Sequence, residues 1–327
     1  MVVKGMYGLG DNIMQRPFIR AAVEREGTVF LFTPWPELYA DMPGVKPVRT
    51  VTRLRTQQKN ERRVPAHVWR AAPSRCRIAR ISYGSEALAA GSISQAMEAS
   101  VPLGETPYQL DLPRMRAPKI DTGGKPLAII RPVTERKEWL NKSRNPLPQY
   151  VNEIAAMLSA SHHVIALADL SPGQEWLVGD MPVVDQAFLR GEISTTQALG
   201  LVARADVVVG GVGWIVPAAL AYGTKAFIIL GGNGGHNAPE VIVDPRADSS
   251  RLGFATPDNF CRCADKGHAC RKQITGLGEI FATWAAQQGI PLCSTNSSAP
   301  SPRTGSNGLS RSASGSSTST RRSRLKA

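Results

Sequence analysis

One tetrapeptide constrains the fold of this chain more than any other feature. Gly8-Leu9-Gly10-Asp11 lies between an apolar run, Val2 to Met6, and a helical stretch, about Asn12 to Glu24. Gly27 stops that helix, and Thr28-Val29-Phe30-Leu31-Phe32 reads as a second strand. Strand, glycine turn, helix and strand in succession form the building unit of an α/β sheet. Open sheets of this kind place their ligands at the carboxyl ends of strands, where this turn lies. Glycine lets the backbone approach a ligand closely. An ionised Asp11 at that place is suited to act as a general base. The competing reading is a helix cap, a position that aspartate also favours.

The same grammar returns after a Pro/Gly-rich passage, Leu112-Pro113 through Gly123-Gly124-Lys125-Pro126. Leu127 to Ile130 is a short apolar strand, Pro148 to Ala160 an amphipathic helix, and His163 to Ala168 another strand. Ser194 opens a helix that ends near Ala205. Val207-Val208-Val209 is wholly apolar, as in a parallel strand covered on both faces. A glycine turn, a helix from Trp214 to Tyr222, a stop at Gly223, a strand from Ala226 to Leu230 and a helix from Gly278 to Gln288 complete the pattern. Pro217 is tolerated in the first turn of its helix.

The expected fold class is α/β, with two Rossmann-like domains facing each other across a cleft. The expected organisation is a domain over 1–112, a linker over 113–126, a second domain over 127–290 and a disordered basic, Ser-rich tail over 291–327. The middle of the first domain is irregular and basic, and Ser85 to Ser100 is its clearest later helix. The tail cannot bury enough apolar surface to offset its ordering entropy.

The 327 residues suffice for two such domains, and the net charge of +13 is unevenly spread. Lys46 to Arg80 holds eleven Lys and Arg against Glu61 alone. Such a block suits an anionic partner, whether phosphorylated saccharide, lipid head group or nucleic acid, or else forms a solvated face. Trp69 is its only aromatic residue, which argues against base stacking. The longest uncharged stretch, Val207 to Thr224, is broken by Gly210, Gly211, Gly213, Pro217 and Gly223, so it is a buried βα unit and not a membrane span. An odd count of five cysteines without a visible leader suggests a reducing cytoplasm.

Three stretches of the second domain are suited to phosphate. Arg131-Pro132-Val133-Thr134-Glu135-Arg136-Lys137 follows a strand directly, where arginine can bind a diphosphate through paired hydrogen bonds. Gly210-Gly211-Val212-Gly213 precedes the Trp214 helix and offers amides and a helix dipole. Gly231-Gly232-Asn233-Gly234-Gly235-His236 follows the next strand, with amides expected to be open to a ligand. All three would open on one sheet edge. Cys261-x-Cys263 with His268-x-Cys270 has the donor types of a structural zinc site, although the spacing is not the common one. The alternative is a group of reduced thiols in a loop. His162 and His163 begin a strand and are expected to be structural, and His67 has no assignable role.

These residues resemble the GT-B glycosyltransferases of the heptosyltransferase type, glycosyltransferase family 9-like, and most of all an uncharacterised branch found in phages and prophages. Gly10-Asp11 with Pro17 is similar to that family's N-terminal Gly-Asp-x5-Pro signature, whose aspartate is regarded as the base that deprotonates the acceptor hydroxyl. Thr134 to Trp139 is similar to its Ser/Thr, Lys and Trp segment, whose basic residue contacts donor phosphate. Gly191-Glu192-Ile193-Ser194, the stretch Ala205 to Gly210 and the Ala218 to Thr224 helix extend the likeness, which covers about Met1 to Gln288 and is loose between Pro43 and Lys125. There is one departure. The family's Asp-Thr-Gly-x-x-His falls here on Val212, Gly213, Trp214 and Pro217, so backbone amides or His236 would replace the missing hydroxyl and imidazole.

The resemblance implies a glycosyltransferase that moves a sugar from a nucleotide-sugar donor to a hydroxyl on a saccharide or glycolipid. Asp11 would be catalytic, with Gly8, Gly10, Asn12 and Arg16 on the acceptor side. Arg131, Thr134, Arg136, Lys137, Glu192, Gly211, Gly213, Trp214, Gly232, Gly234 and His236 would hold the donor. The chain contains no Asp-x-Asp triplet for a catalytic metal, which fits an inverting, metal-independent transfer that needs no cofactor, with zinc at Cys261, Cys263, His268 and Cys270 serving structure alone. The expected place is the cytoplasm or the periphery of the inner membrane. A nucleotide-sugar epimerase of the same fold is one alternative, and a non-catalytic nucleotide- or nucleic-acid-binding phage protein is another.

Overall fold

The structure is a computed structural model that describes residues 1–292. The tail expected over 291–327 therefore lies outside the described residues from 293 onward. The first half contains β1 (Val2–Lys4), α1 (Leu9–Met14), α2 (Arg16–Glu26), β2 (Val29–Phe32), β3 (Val45–Val48), α3 (Arg55–Arg63), β4 (Ile78–Arg80), α4 (Ser85–Ala90) and α5 (Ile93–Ala99). Its four strands form a parallel sheet in the order β3-β2-β1-β4. Val3, Leu31 and Ala79, one residue from each of three adjacent strands, are in register and buried.

The helix expected over about Asn12 to Glu24 is two helices. Pro17 has no N–H to donate and its ring crowds the carbonyl four residues earlier, so the hydrogen-bond ladder breaks around Gln15 and restarts. Ser85 to Ser100 is likewise divided. Gly91 is fully extended, and Ser92 begins a new helix by accepting the Gln95 N–H while the Gln95 side chain accepts from the Ser92 N–H. Ser92 is almost fully buried, and its Oγ also donates to Asp244 Oδ2 at 3.2 Å. Ser92→Ala is therefore expected to cost about 1–2 kcal/mol. Chemical denaturation would register this as a lower midpoint at unchanged slope.

The second half contains β5 (Leu127–Arg131), β6 (Thr134–Arg136), α6 (Pro148–Ser159), β7 (His163–Leu167), β8 (Glu175–Leu177), β9 (Gln186–Phe188), α7 (Thr195–Arg204), β10 (Val207–Gly210), α8 (Ile215–Tyr222), β11 (Ala226–Ile229), α9 (Gly234–Asn237), α10 (Pro239–Ile242), β12 (Leu252–Ala255) and α11 (Leu277–Gln287). Six strands pair in parallel in the order β12-β11-β10-β5-β7-β9, while β6 and β8 form a separate antiparallel pair. Side chains alternate across a strand. Val208 and Ile129 accordingly join a core continuous with that of the first half, whereas Val207, Val209 and Ile130 pack under α6 and α11 with Phe227, Phe281 and Trp284. Both faces of the sheet are thus covered, which is why its central strands are apolar throughout.

No regular element lies between Ala99 and Leu127, and the two sheets sit in one packed unit. Val207 to Thr224 forms β10 and α8, closed by Gly223 in the left-handed region at φ 64°. Among the described residues no helix is long and apolar enough to cross a membrane. The stretch expected to be irregular, within Lys46 to Arg80, instead supplies most of β3, all of α3 and β4.

Candidate active site

A cavity of about 670 Å³ opens between the carboxyl ends of the two sheets, with walls from both halves. Gly8, Gly10, Asp11, Tyr83 and Ser85 come from the first half, and Arg131, Thr134, Arg144, Trp214 and His236 from the second. Gly10 makes the approach of the halves possible, since a Cβ there would sit 3.2 Å from the Trp214 Cα. That glycine therefore serves contact between α1 and α8. A side chain on Gly8 would collide with the Asp11 carboxylate.

Asp11 does not cap its helix. Gly8 occupies the N-cap position, no side chain bonds the first turn, and the carboxylate turns to the cavity. Its Oδ1 accepts from the Tyr83 hydroxyl at 3.0 Å. Burial raises the Asp11 pKa above the ordinary carboxylate value, and the Tyr83 hydrogen bond and the Arg144 charge offset only part of that rise. Tyr83 in turn is pushed up, by burial first and by the Asp11 charge second, so it stays a donor.

Two guanidiniums face the cavity with no ion-pair or hydrogen-bond partner for their side chains among the described residues: Arg131 and Arg144. Arg131 ends β5 and lies over the Trp214 ring, 5.7 Å from its centre. Burial lowers its pKa to about 10, so it remains a cation at neutral pH. Burial also lowers the Arg144 pKa, and its Nε is a buried donor without an acceptor. Buried charges are normally paired. Two that are not, in one cavity, describe an anion site.

Three other basic groups that line the cavity, Lys59, Arg63 and Arg136, are engaged, while Lys266 is exposed and its side chain makes no bond among the described residues. Arg136 bonds Glu175 Oε2 at 2.8 Å, and Glu175 also takes Arg55 Nη2 at 2.8 Å and Thr134 Oγ1 at 3.2 Å. Arg55 and Lys59 hold Asp169 at 3.0 and 2.7 Å, and Arg63 donates to the Gly191 carbonyl at 3.0 Å. The basic block is thus only partly a solvated face. Along α3 its charges bridge the first half to the second, while Arg49, Arg53, Arg62, Arg70, Arg75, Arg77 and Arg80 remain exposed.

Of the expected donor residues, Arg131, Thr134, Arg136, Gly213, Trp214 and His236 line the cavity. His236 Nε2 meets Ser85 Oγ across the cleft at 3.1 Å. The others do not reach it. Lys137 and Glu192 are exposed, and Glu192 Oε2 is taken by the Arg190 N–H at 2.7 Å in a local turn. Gly211 packs on Pro146. Gly232 abuts Cys270, and Gly234 abuts Phe260. Two of the amides expected to be open in this glycine loop are occupied, Gly234 N–H by the Cys261 carbonyl at 2.8 Å and Gly235 N–H by the Cys263 carbonyl at 3.0 Å. Of the expected acceptor-side residues, Asn12 and Arg16 are fully buried behind the cavity. Asn12 donates to the Met6 and Gly8 carbonyls at 2.6 and 2.9 Å, and so shapes the Gly-Asp turn from beneath.

Sequence reasoning missed Tyr83 and Arg144. Tyr83 follows β4, so the rule that sites lie at strand carboxyl ends would have found it once β4 was recognised. No local signal marks Arg144, because an arginine in a polar loop is normally exposed.

Cys261, Cys263, His268 and Cys270 converge, with one ligand atom from each lying within 4.8 Å of all the others. Cys263 Sγ is 3.6 Å from Cys270 Sγ, and His268 Nδ1 is 3.5 Å from Cys261 Sγ and 3.3 Å from Cys270 Sγ. A tetrahedral ion with metal–sulfur bonds of about 2.3 Å needs edges of roughly 3.5–3.8 Å. The donor set and its spacing fit such an ion.

No protein-family profile matches the chain. No curated protein matches it in sequence. Solved structures do match its fold. The iron-containing dodecameric glycosyltransferase TibC from enterotoxigenic E. coli H10407 superposes with a TM-score of 0.59 at 15% identity, over 88% of this chain and 76% of that one. TibC in complex with ADP-D-beta-D-heptose gives a TM-score of 0.58 at 14% identity over the same shares. The glycosyl transferase family 9 protein from Veillonella parvula DSM 2008 gives 0.53 at 8% identity, over 88% of this chain and 96% of that one. With two parallel sheets facing each other across a residue-lined cleft, this chain therefore has the fold of the heptosyltransferase-type glycosyltransferases.

Proposed function

We propose that the chain is a glycosyltransferase that moves a sugar from a nucleoside-diphosphate sugar to a hydroxyl acceptor, with inversion and without a catalytic metal. One observation carries the reading. A carboxylate held by a tyrosine on one wall faces two unpaired guanidiniums from the other half of the chain in the same cavity. The first half is then the acceptor side and the second the donor side, with 113–126 joining them.

In the proposed reaction the acceptor O–H gives its proton to Asp11 as its oxygen attacks the anomeric carbon. The new C–O bond forms on one face of the sugar while the bond to the phosphate oxygen breaks on the other, which inverts the configuration. Negative charge grows on the departing diphosphate. Arg131 and Arg144 meet it, already desolvated and in place, so little reorganisation is needed. The positive end of α8 adds to the same field. The TibC structure with ADP-D-beta-D-heptose makes ADP-heptose the first donor to try.

Binding measurements test this. ADP, UDP or GDP is expected to raise the melting temperature, with the monophosphates weaker. Arg131→Ala and Arg144→Ala should each weaken the diphosphate by about ten-fold or more, since a hydrogen bond to a charged group is worth about 1.5–3 kcal/mol. If no nucleoside diphosphate binds, or if both variants bind it as the parent does, the donor side is wrongly placed. Product analysis with donor alone separates transfer from epimerisation.

We further infer that Cys261, Cys263, His268 and Cys270 hold a tetrahedral zinc or iron ion, as thiolate-rich sites of this geometry do. With four protein ligands the ion would have no open position, so what it supplies is a cross-link.

A further inference from the structure

The loop that carries the four ligands, between β12 and α11, contains no helix or strand and few apolar side chains. Yet one wall of the cavity is hung on it. Gly234 and Gly235 donate to the Cys261 and Cys263 carbonyls at 2.8 and 3.0 Å, and Asn233 Nδ2 donates to the Cys263 carbonyl at 3.3 Å. Ser143 Oγ donates to the Asp265 carbonyl at 2.9 Å. Asn141 ties the two seams together, donating to Asn233 Oδ1 at 3.3 Å and accepting from the Arg144 N–H at 3.1 Å. Gly232 leaves no room for a side chain between Cys270 and the Ser143 carbonyl. Lys266, within the loop itself, lines the cavity, as do Asn141, Arg144, Asn233 and His236.

Resting on the metal and donor readings above, we propose that the Cys/His loop is the mount of Arg144: the bound ion fixes the loop, the loop fixes residues 141–145, and the cavity gains its diphosphate affinity through that chain of contacts. The ion takes no part in the reaction. A segment with few buried apolar contacts opens locally at low cost. Here the four-ligand cross-link replaces the missing core. Arg144 depends on it because its guanidinium makes no ion pair or hydrogen bond among the described residues. Asp11, carried by α1 and held by Tyr83, lies outside this chain of contacts.

The test compares the purified holoprotein with the same protein stripped by chelator and then reloaded with Zn²⁺ or Fe²⁺, with metal content measured throughout. Stripping is expected to weaken ADP and UDP by about ten-fold or more and to speed amide exchange at 141–145 and 233–237. Exchange at 9–14 and the circular dichroism of the bulk fold should stay as they were, and reloading should restore both losses. In Arg144→Ala the same stripping should change nucleotide affinity by less than two-fold. Ser143→Ala should retain the metal while weakening ADP. Wild-type affinity and unchanged exchange after stripping overturn the proposal. So does a protein that takes up no metal, which overturns the metal reading with it. If no nucleotide binds in any form, the donor reading has failed, and amide exchange still decides whether the ion holds the loop.

Discussion

Asp11→Asn is expected to reduce sugar transfer by about 10²–10⁴-fold, the usual contribution of a positioned base, while nucleoside diphosphates bind as they do to the parent. The amide keeps the shape of the side chain and its hydrogen bond from Tyr83, but it cannot take a proton. Full activity in this variant would remove Asp11 from the mechanism. The folded protein should not suffer. Burial raises the Asp11 pKa, so the folded state binds this proton more tightly than the unfolded chain, and stability from this group falls as pH rises through the raised value. At neutral pH the neutral Asn avoids that loss, so the variant should melt at or slightly above the parent temperature. A large fall in melting temperature would mean that Asp11 is structural. The same shift sets the acid side of the pH profile. Activity requires ionised Asp11, so it should fall as pH drops through a value above the ordinary carboxylate range. Tyr83→Phe removes the hydrogen bond that lowers that pKa, and should move the acid limb of kcat/KM to higher pH.

Arg16→Ala is expected to be the most destabilising single change among the residues first linked to the site. Arg16 is fully buried and donates to Asp41 at 3.0 and 2.7 Å, to the Asp111 carboxylate at 2.9 Å and to the Asp111 carbonyl at 2.7 Å, with a further bond to the Leu38 carbonyl. Removing it strands the Asp41 carboxylate and two carbonyls beside a cavity the size of the lost side chain, while Asp111 keeps Arg20 at 2.6 and 2.8 Å. Breaking a buried pair costs about 3–5 kcal/mol, and the one-third exposure of both aspartates places the expected loss near the lower end. Thermal melting should show a fall of about 5–10 °C. Arg16→Lys should recover only part of it, because an ammonium cannot make the paired bonds to Asp41. A loss below about 1 kcal/mol would show that water satisfies the released groups.

Residues near the Gly-Asp turn thus divide by environment and not by motif. Asp11 reaches the cavity, whereas Asn12 and Arg16, a few positions on, hold the turn and the packing beneath it. The second half shows the same division. Gly213 borders the cavity, but Gly232 and Gly234 are small because the Cys/His loop lies against them. A glycine in a turn states only that something comes close, and neighbouring sequence does not say whether that is a ligand or the protein itself.

Local pattern was enough to read the parallel sheets, the helices that follow their strands, the Ser194 cap and a cluster of Cys261, Cys263, His268 and Cys270, whose side chains converge. Periodicity and capping act over a few residues, and unbroken apolar strands require cover on both faces wherever they occur. β4 escaped this reading because Ala79 alone of its three residues is buried, so it has no apolar run to show. Which charges share the cleft was decided by tertiary structure alone. Tyr83 reaches Asp11 across 72 residues, Arg55 reaches Glu175 across 120, and Arg144 Nε is buried without an acceptor. Electrostatic pairing depends on distance in space and on the loss of water, and both arise only when the carboxyl ends of the two sheets are brought face to face.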